Sequence, residues 1–200
     1  MFRWYEKAKA FFVYLSDVPT GQDPEAEGSA FQESRWFTRG WTLQELLAPR
    51  IVLFFDNEWQ MVGCKHTLGR VIHNITGIDE TYLGANQHQQ YFQAYAQLSR
   101  ASIAERMSWA ASRETTREED IAYCLLGIFD IHMPMLYGEG AKAFIRLQEE
   151  IMKVSDDTSI LCWGYKQPHW RTRSAIPRNL SFGDSSALLR ELSRYYNSDL

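Results

Sequence analysis

Cysteine is scarce in this chain, and the three present are isolated: Cys64, Cys124 and Cys162 lie far apart, with no Cys-x-x-Cys pair. That spacing excludes a zinc knuckle and a disulfide framework. Cys124 falls inside an apolar helical pattern, where a buried free thiol is expected, and such usage fits a reducing compartment. Long apolar runs are missing too, since none approaches the ~20 residues that a membrane-spanning helix needs. The first residues, "MFRWYEKAKAFFVYLSDVP", lack the unbroken apolar core and small-residue cleavage site of a secretion signal. A basic excess is absent: Lys and Arg number 21 against 25 Asp and Glu, for a formal net charge of -4. Nucleic-acid binding domains usually carry a basic patch, so no nucleic-acid partner is expected. The five histidines (His66, His73, His88, His132 and His169) show no metal-ligand spacing such as HExxH, and no metal site is expected. The expectation is therefore a soluble cytoplasmic protein with no membrane span.

What the chain does have is apolar and aromatic material. Hydrophobic residues make up 45% and aromatics 14% of its 200 residues, enough for a real core in one domain with or without an appendage. "MFRWYEKAKA" reads as the end of an amphipathic helix. "FFVYL" (Phe11 to Leu15) and "IVLFF" (Ile51 to Phe55) are short continuous apolar runs, expected as strands buried on both faces. Between them lie the loop "SDVPTGQDPEAEGSA" and the stretch "SRWFTRGWTLQELLAPR", expected to be helical until Pro49. The order helix, strand, helix, strand predicts a parallel sheet with helices packed on it. "TLGRVIHNITGI" places Leu68, Val71, Ile72 and Ile75 at helical spacing and stops at Gly77.

Downstream the character changes. Residues 79 to 98 are polar, with "GANQHQQ" the best linker candidate. "SIAE" (Ser102 to Glu105) and "TREE" (Thr116 to Glu119) both match the capping box. Ile121, Cys124, Leu125 and Ile128 form one helical stripe, and Phe144, Leu147 and Ile151 mark another. "SILCW" is expected as a last short strand. "YGEG" lacks the GxGxxG pattern and reads as a turn before a helix, not a phosphate cradle. The tryptophans Trp4, Trp36, Trp59, Trp109, Trp163 and Trp170 are expected mostly in the core or in interfaces.

Glu45 is the single acid among the seventeen residues from Ser34 to Arg50, and the residues leave two readings of it open. "TLQE" (Thr42 to Glu45) is a capping box, which would give Glu45 a backbone amide to hold. An ion pair with Arg39, Arg106 or Arg113 is a second structural role. Alternatively, ligands of open parallel sheets bind beyond the carboxyl ends of the strands. Ser16 and Asp17 follow the first strand there, and a helix starting on the same edge would aim Glu45 and Trp41 at the same crevice. A carboxylate, an indole and nearby hydroxyls could hold a ribose and stabilise charge on its anomeric carbon.

"FFVYLSDVP" followed by "SRWFTRGWTLQELLAPR" resembles the central motif of the fungal heterokaryon incompatibility (HET) domain. "ERMSWAASRETTREEDIAYCLLGIFDIHMPMLYGEGAKAFIRLQEEI" (Glu105 to Ile151) is similar to the helical segment that commonly follows it, so the resemblance covers roughly residues 1 to 165. It implies a role in non-self recognition between fungal strains and in regulated cell death. HET domains also resemble TIR domains, doubly wound α/β modules of which some cleave NAD at the nicotinamide–ribose bond. By that resemblance Ser34, Trp41 and Glu45–Leu46 match the TIR motif, with Thr42 where cysteine is usual. Glu45 becomes the catalytic carboxylate, Ser16, Asp17 and Trp41 the substrate-binding residues, and NAD a substrate with no bound cofactor. Arg39, Arg113 and Asp120 would be structural supports, with Arg113 and Asp120 in salt bridges.

The HET pattern's opening strands, with their serine–tyrosine–tryptophan and aspartate–cysteine motifs, are not found before "MFRWYE". The resemblance therefore implies an N-terminally incomplete copy that does not catalyse on its own. The expected architecture is α/β: a partial TIR-like parallel sheet with flanking helices over residues 1–83, a linker at 84–98, a mainly helical region at 99–165 and a weakly structured tail at 166–200. Three functions follow: a HET module acting through NAD hydrolysis, a non-enzymatic module working through protein partners or homotypic assembly, or an inactive fragment.

Overall fold

The computed structural model describes residues 1–84 and 94–162, so most of the expected linker and all of the expected tail lie outside the described residues. Helix α1 (Phe2–Glu6) leads into strand β1 (Phe11–Tyr14). A 3-10 turn (Arg35–Thr38) and helix α2 (Thr42–Leu47) precede strands β2 (Val52–Phe55) and β3 (Met61–Cys64). Next come α3 (Gly69–Thr76), α4 (Ala94–Leu98), α5 (Ile103–Ser108), α6 (Asp120–Tyr123), α7 (Leu126–Phe129) and α8 (Lys142–Val154), and then a 3-10 turn (Thr158–Cys162).

The sheet is mixed, a correction to the expected parallel one. Its order is β1-β2-β3, with β1 parallel to β2 and β2 antiparallel to β3. β3 escapes a pattern search because "MVGC" has little apolar alternation. The turn is what makes the hairpin: Asp56 Oδ1 accepts the amides of Glu58 and Gln60, both at 2.9 Å, and Trp59 adopts φ 60°.

Nor are β1 and β2 buried on both faces. Val13, Leu15, Val52 and Phe54 point into the core, whereas Phe12 and Tyr14 remain 60% and 43% exposed. Alternation at period two leaves one face of the sheet to solvent. The aromatics there pack on one another: Tyr14 stacks on Trp59 at 4.7 Å, Phe55 lies 5.9 Å from Trp59, and Phe12 lies 5.8 Å from Phe55. Of the tryptophans expected mostly in the core or in interfaces, Trp109 is buried and Trp36 half-buried, while Trp59 and Trp4 are exposed.

Beneath the sheet, Leu43, Leu46 and Leu47 of α2 join Val13, Phe54 and Ile72 in a core that continues through Ile103, Leu125, Ile128 and Leu147. α3 ends as expected at Gly77, whose φ of 71° needs a residue without Cβ. Ser102 caps α5 by accepting the Glu105 amide at 3.1 Å. The second expected capping box does not form: α6 starts at Asp120 with no side-chain cap, and the stripe from Ile121 to Ile128 breaks into two short helices. The segment read as a final strand is the 3-10 turn Thr158–Cys162.

"YGEG" is a turn before a helix, and its amides face a resident carboxylate. Buried Glu119 Oε1 accepts from Gly138 at 2.7 Å and Gly140 at 3.1 Å. The backbone amide of Glu119 itself, together with these two, holds its carboxyl below the ordinary range.

Candidate functional site

The stretch from Ser34 to Leu47 does not form one helix. Ser34 accepts the Trp36 amide at 3.3 Å and so caps the first 3-10 turn. Its hydroxyl donates to Asp17 Oδ1 at 2.9 Å, and the Arg35 amide donates to Asp17 Oδ2 at 2.8 Å. Burial alone would push the Asp17 carboxyl up, but these donors and the Arg35 guanidinium bring it below the usual range.

Past the 3-10 turn, Arg39 runs extended beside Glu114. The Glu114 amide donates to Thr38 O at 2.6 Å, and the Gly40 amide donates to Glu114 O at 2.9 Å. The approach is too close for a side chain, because a Cβ on Gly40 would meet Thr115 Cγ2 at 2.5 Å. Gly40 therefore separates the two helical pieces by contact.

Thr42 then opens α2, but not as a capping box. Trp41 is the N-cap and makes no side-chain cap bond. The Thr42 hydroxyl lies 2.6 Å from Trp36 O and 2.7 Å from Arg39 O, while Arg113 Nη1 donates to it at 2.8 Å. One hydroxyl proton serves one carbonyl at a time. Arg113 Nη1 also reaches Arg39 O at 2.9 Å and Nε reaches Trp109 O at 3.2 Å, but Nη2 is buried with no hydrogen-bond partner among the described residues. Burial brings this guanidinium down to about 10, with the Cys124 and Glu45 charges opposing. Cys124, buried beside it, is pushed up to about 12, which leaves the thiol inert near neutrality.

Glu45 is half-buried on α2. Its Oε1 accepts the Tyr5 hydroxyl at 3.4 Å, and the Tyr5 ring packs edge-on against Phe11 at 5.5 Å. Desolvation raises the Glu45 carboxyl above its ordinary value; the Tyr5 hydroxyl, the Arg39 charge, the Trp36 indole and the Arg113 charge pull the other way. Burial, and then the Glu45 charge and hydrogen bond, raise the Tyr5 hydroxyl in turn.

On another side of α2 lies a cavity of about 500 Å³, lined by Trp41 and Gln44 together with Phe2, Leu126, Ile131 and Met133. Gln44 is anchored there through Nε2, which donates to Cys124 O at 2.6 Å.

Against this geometry, one curated protein gives a decisive match. The vegetative incompatibility protein HET-E-1 of Podospora anserina is 48% identical over 158 residues, 76% of this chain and 11% of its own length. The chain belongs to the fungal heterokaryon incompatibility proteins. It spans only that 11% of the relative it matches. No family model matches the chain, and no solved structure does.

For this incompatibility chain, the expected site residues fall into three separate groups. Glu45 has Tyr5, Trp36, Arg39 and Arg113 around it. Asp17 is held by Ser34 and Arg35, with Ser16 exposed next to it, and shares no partner with Glu45 among the described residues. Trp41 faces the cavity, which neither Glu45, Ser16 nor Asp17 lines. Of the expected supports, Arg113 braces the helix start through carbonyls and Thr42 instead of through a salt bridge. Arg39 contributes its carbonyl to that brace, its side chain being exposed. Asp120 accepts the Tyr137 hydroxyl at 3.0 Å, away from α2. No salt bridge among the described residues contains Glu45, Arg113 or Asp120.

Sequence reasoning missed Tyr5, the hydroxyl partner of Glu45, because a tyrosine on a short terminal helix carries no signal of its target. It also missed Lys65, whose Nζ donates to Leu46 O at 3.1 Å and Pro49 O at 2.5 Å at the end of α2. Among the described residues no helix is long and apolar enough to cross a membrane, and no cluster of His, Cys, Asp or Glu could hold a metal.

Proposed function

We propose that this chain acts in vegetative incompatibility, as a module of non-self recognition whose engagement leads to regulated cell death, and that it works by protein contact. The carrying observation is the 48% identity over 158 residues with a protein named for vegetative incompatibility. The contact part is supported by the solvent face of the sheet, where Phe12, Tyr14, Phe55, Trp59 and Met61 stand together with Trp59 61% and Met61 58% exposed. Contiguous exposed aromatics of this kind favour association. On this reading Glu45 is a structural acid that ties α2 to α1 through Tyr5.

One observation favours a second reading, NAD cleavage of the TIR type with NAD as substrate. The Glu45 carboxyl is displaced upward by burial beside an indole and a phenol, surroundings suited to a ribose. The cavity beside Trp41 is lined by neither Glu45, Ser16 nor Asp17.

Induced expression in hyphae, scored by vital-dye uptake and cellular NAD, distinguishes the two. Death with constant NAD that persists in Glu45→Gln supports the contact reading. An NAD fall that Glu45→Gln abolishes overturns it in favour of hydrolysis. Absence of death at every expression level overturns both.

A further inference from the structure

The cavity beside α2 is lined wholly by residues from the described parts of the chain, and Glu45, Ser16 and Asp17 are not among them. Its volume of about 500 Å³ falls within the ~300–1,000 Å³ typical of small-molecule sites.

One polar group in its wall is unspent. Gln44 is 2% exposed, and its Nε2 donates to Cys124 O at 2.6 Å. A carbonyl oxygen only accepts, so this bond fixes which end of the amide is which. Oε1 is left buried with no hydrogen-bond partner among the described residues. A desolvated acceptor without a donor is costly, and native interiors keep few of them. Oε1 lies where three lining residues meet. A Cβ on Gly127 would stand 3.0 Å from it and 2.2 Å from Phe2 Cβ.

Other polar side chains of the lining are engaged. The Tyr123 hydroxyl lies 2.9 Å from Leu136 O and 2.8 Å from Glu139 Oε1, which leaves its ring to the cavity. Arg3 and Asp130 already face each other at 3.5 Å, so the lining selects neither a cation nor an anion. Trp41, Tyr123 and the thioether of Met133 are partners suited to a flat ring.

We propose that this cavity binds a small, uncharged aromatic molecule carrying an N–H or O–H donor, with that donor bonded to Gln44 Oε1. Phe2, beside the acceptor, turns aside as the ring enters. It sits in the first turn of a five-residue helix with no side-chain cap, an element that yields at little cost. Such a ligand goes beyond the incompatibility role and is independent of which reading of Glu45 holds.

Indole is the probe. Benzofuran, of the same shape with a ring oxygen in place of the N–H, is its control. Isothermal titration calorimetry of the full chain should give indole an affinity about tenfold or more above that of benzofuran, because only indole satisfies the buried acceptor. Trp41→Ala should weaken indole binding, which locates the ring in this cavity. Gln44→Met keeps a side chain of similar length without the acceptor, and should bring the two probes to nearly equal affinity.

Equal affinity for the two probes on the unsubstituted chain, or no binding of indole up to its solubility, overturns the proposal. So does a preference for indole that survives in Gln44→Met or is untouched in Trp41→Ala. Should Gln44→Met fail to fold, because Cys124 O loses its donor, the probe pair on the unsubstituted chain and on Trp41→Ala still decides.

Discussion

Replacing Lys65 by methionine tests whether an ammonium group buried at the end of the site helix titrates near neutrality. Lys65 is 2% exposed and burial lowers its pKa from 10.5 to about 7. The unfolded chain therefore holds this proton over a pH range in which the folded chain has lost it. Stability rises with pH wherever the unfolded state binds more protons. The sign is thus a gain in stability as pH climbs from about 7 toward 10.5, with the cost of burying charge fully present below 7.

Cys124 limits the upper end. Its thiol is raised from 9.0 to about 12, so it contributes the opposite slope above pH 9. Cys64, lowered below 9.0, adds a rise of the same sign that Lys65→Met retains, so the difference between the two proteins isolates Lys65. Integrating one proton over the window between about pH 7 and 8.5 gives about 1.5 kcal/mol. Urea denaturation in steps across the window reads it directly. The absolute stability of Lys65→Met is ambiguous, since it deletes a desolvated charge but leaves Leu46 O and Pro49 O without their donor. The difference in slope is not. Parallel stability–pH curves for the two proteins would refute the reasoning.

Three further outcomes are expected. Gly127→Ala should destabilise by about 1–3 kcal/mol in thermal or urea melts, because its Cβ would meet Phe2 Cβ at 2.2 Å and α1 would have to move. Brief alkylation at pH 8 with peptide-level mass spectrometry should modify half-buried Cys64, whose pKa is lowered by Thr67 hydrogen bonds despite burial, and spare Cys124 until urea is added. Glu45→Gln should fold with a Tm at pH 7 no lower than that of the unsubstituted chain. The fold raises the Glu45 pKa, so its charged form is disfavoured above the usual carboxylate range and neutralisation relieves that cost.

Apolar spacing made several elements legible: β1, β2, α3 with its Gly77 stop, α8, and the Ser102 cap of α5 all follow local rules. The errors came from contacts distant in sequence. Thr42 has the chemistry of a cap, but Arg113, 71 residues away, takes its hydroxyl as an acceptor and orients it toward loop carbonyls. Glu45 likewise meets Tyr5 instead of the amide at its own helix start, because α1 is folded against α2. β3 depends on an Asp56 turn more than on its own residues. The family resemblance holds through the 48% identity with HET-E-1, but which acids, hydroxyls and indoles share a space is a property of packing that no motif spacing encodes.

The Glu119 carboxylate has a consequence for any nucleotide. Gly138 and Gly140 supply main-chain N–H groups of the kind that elsewhere neutralise a diphosphate, and here both are consumed by an anion the chain carries itself. A dinucleotide approaching this turn would have to evict that internal guest before gaining a single bond. Its phosphates would find a better welcome at some other cluster of donors.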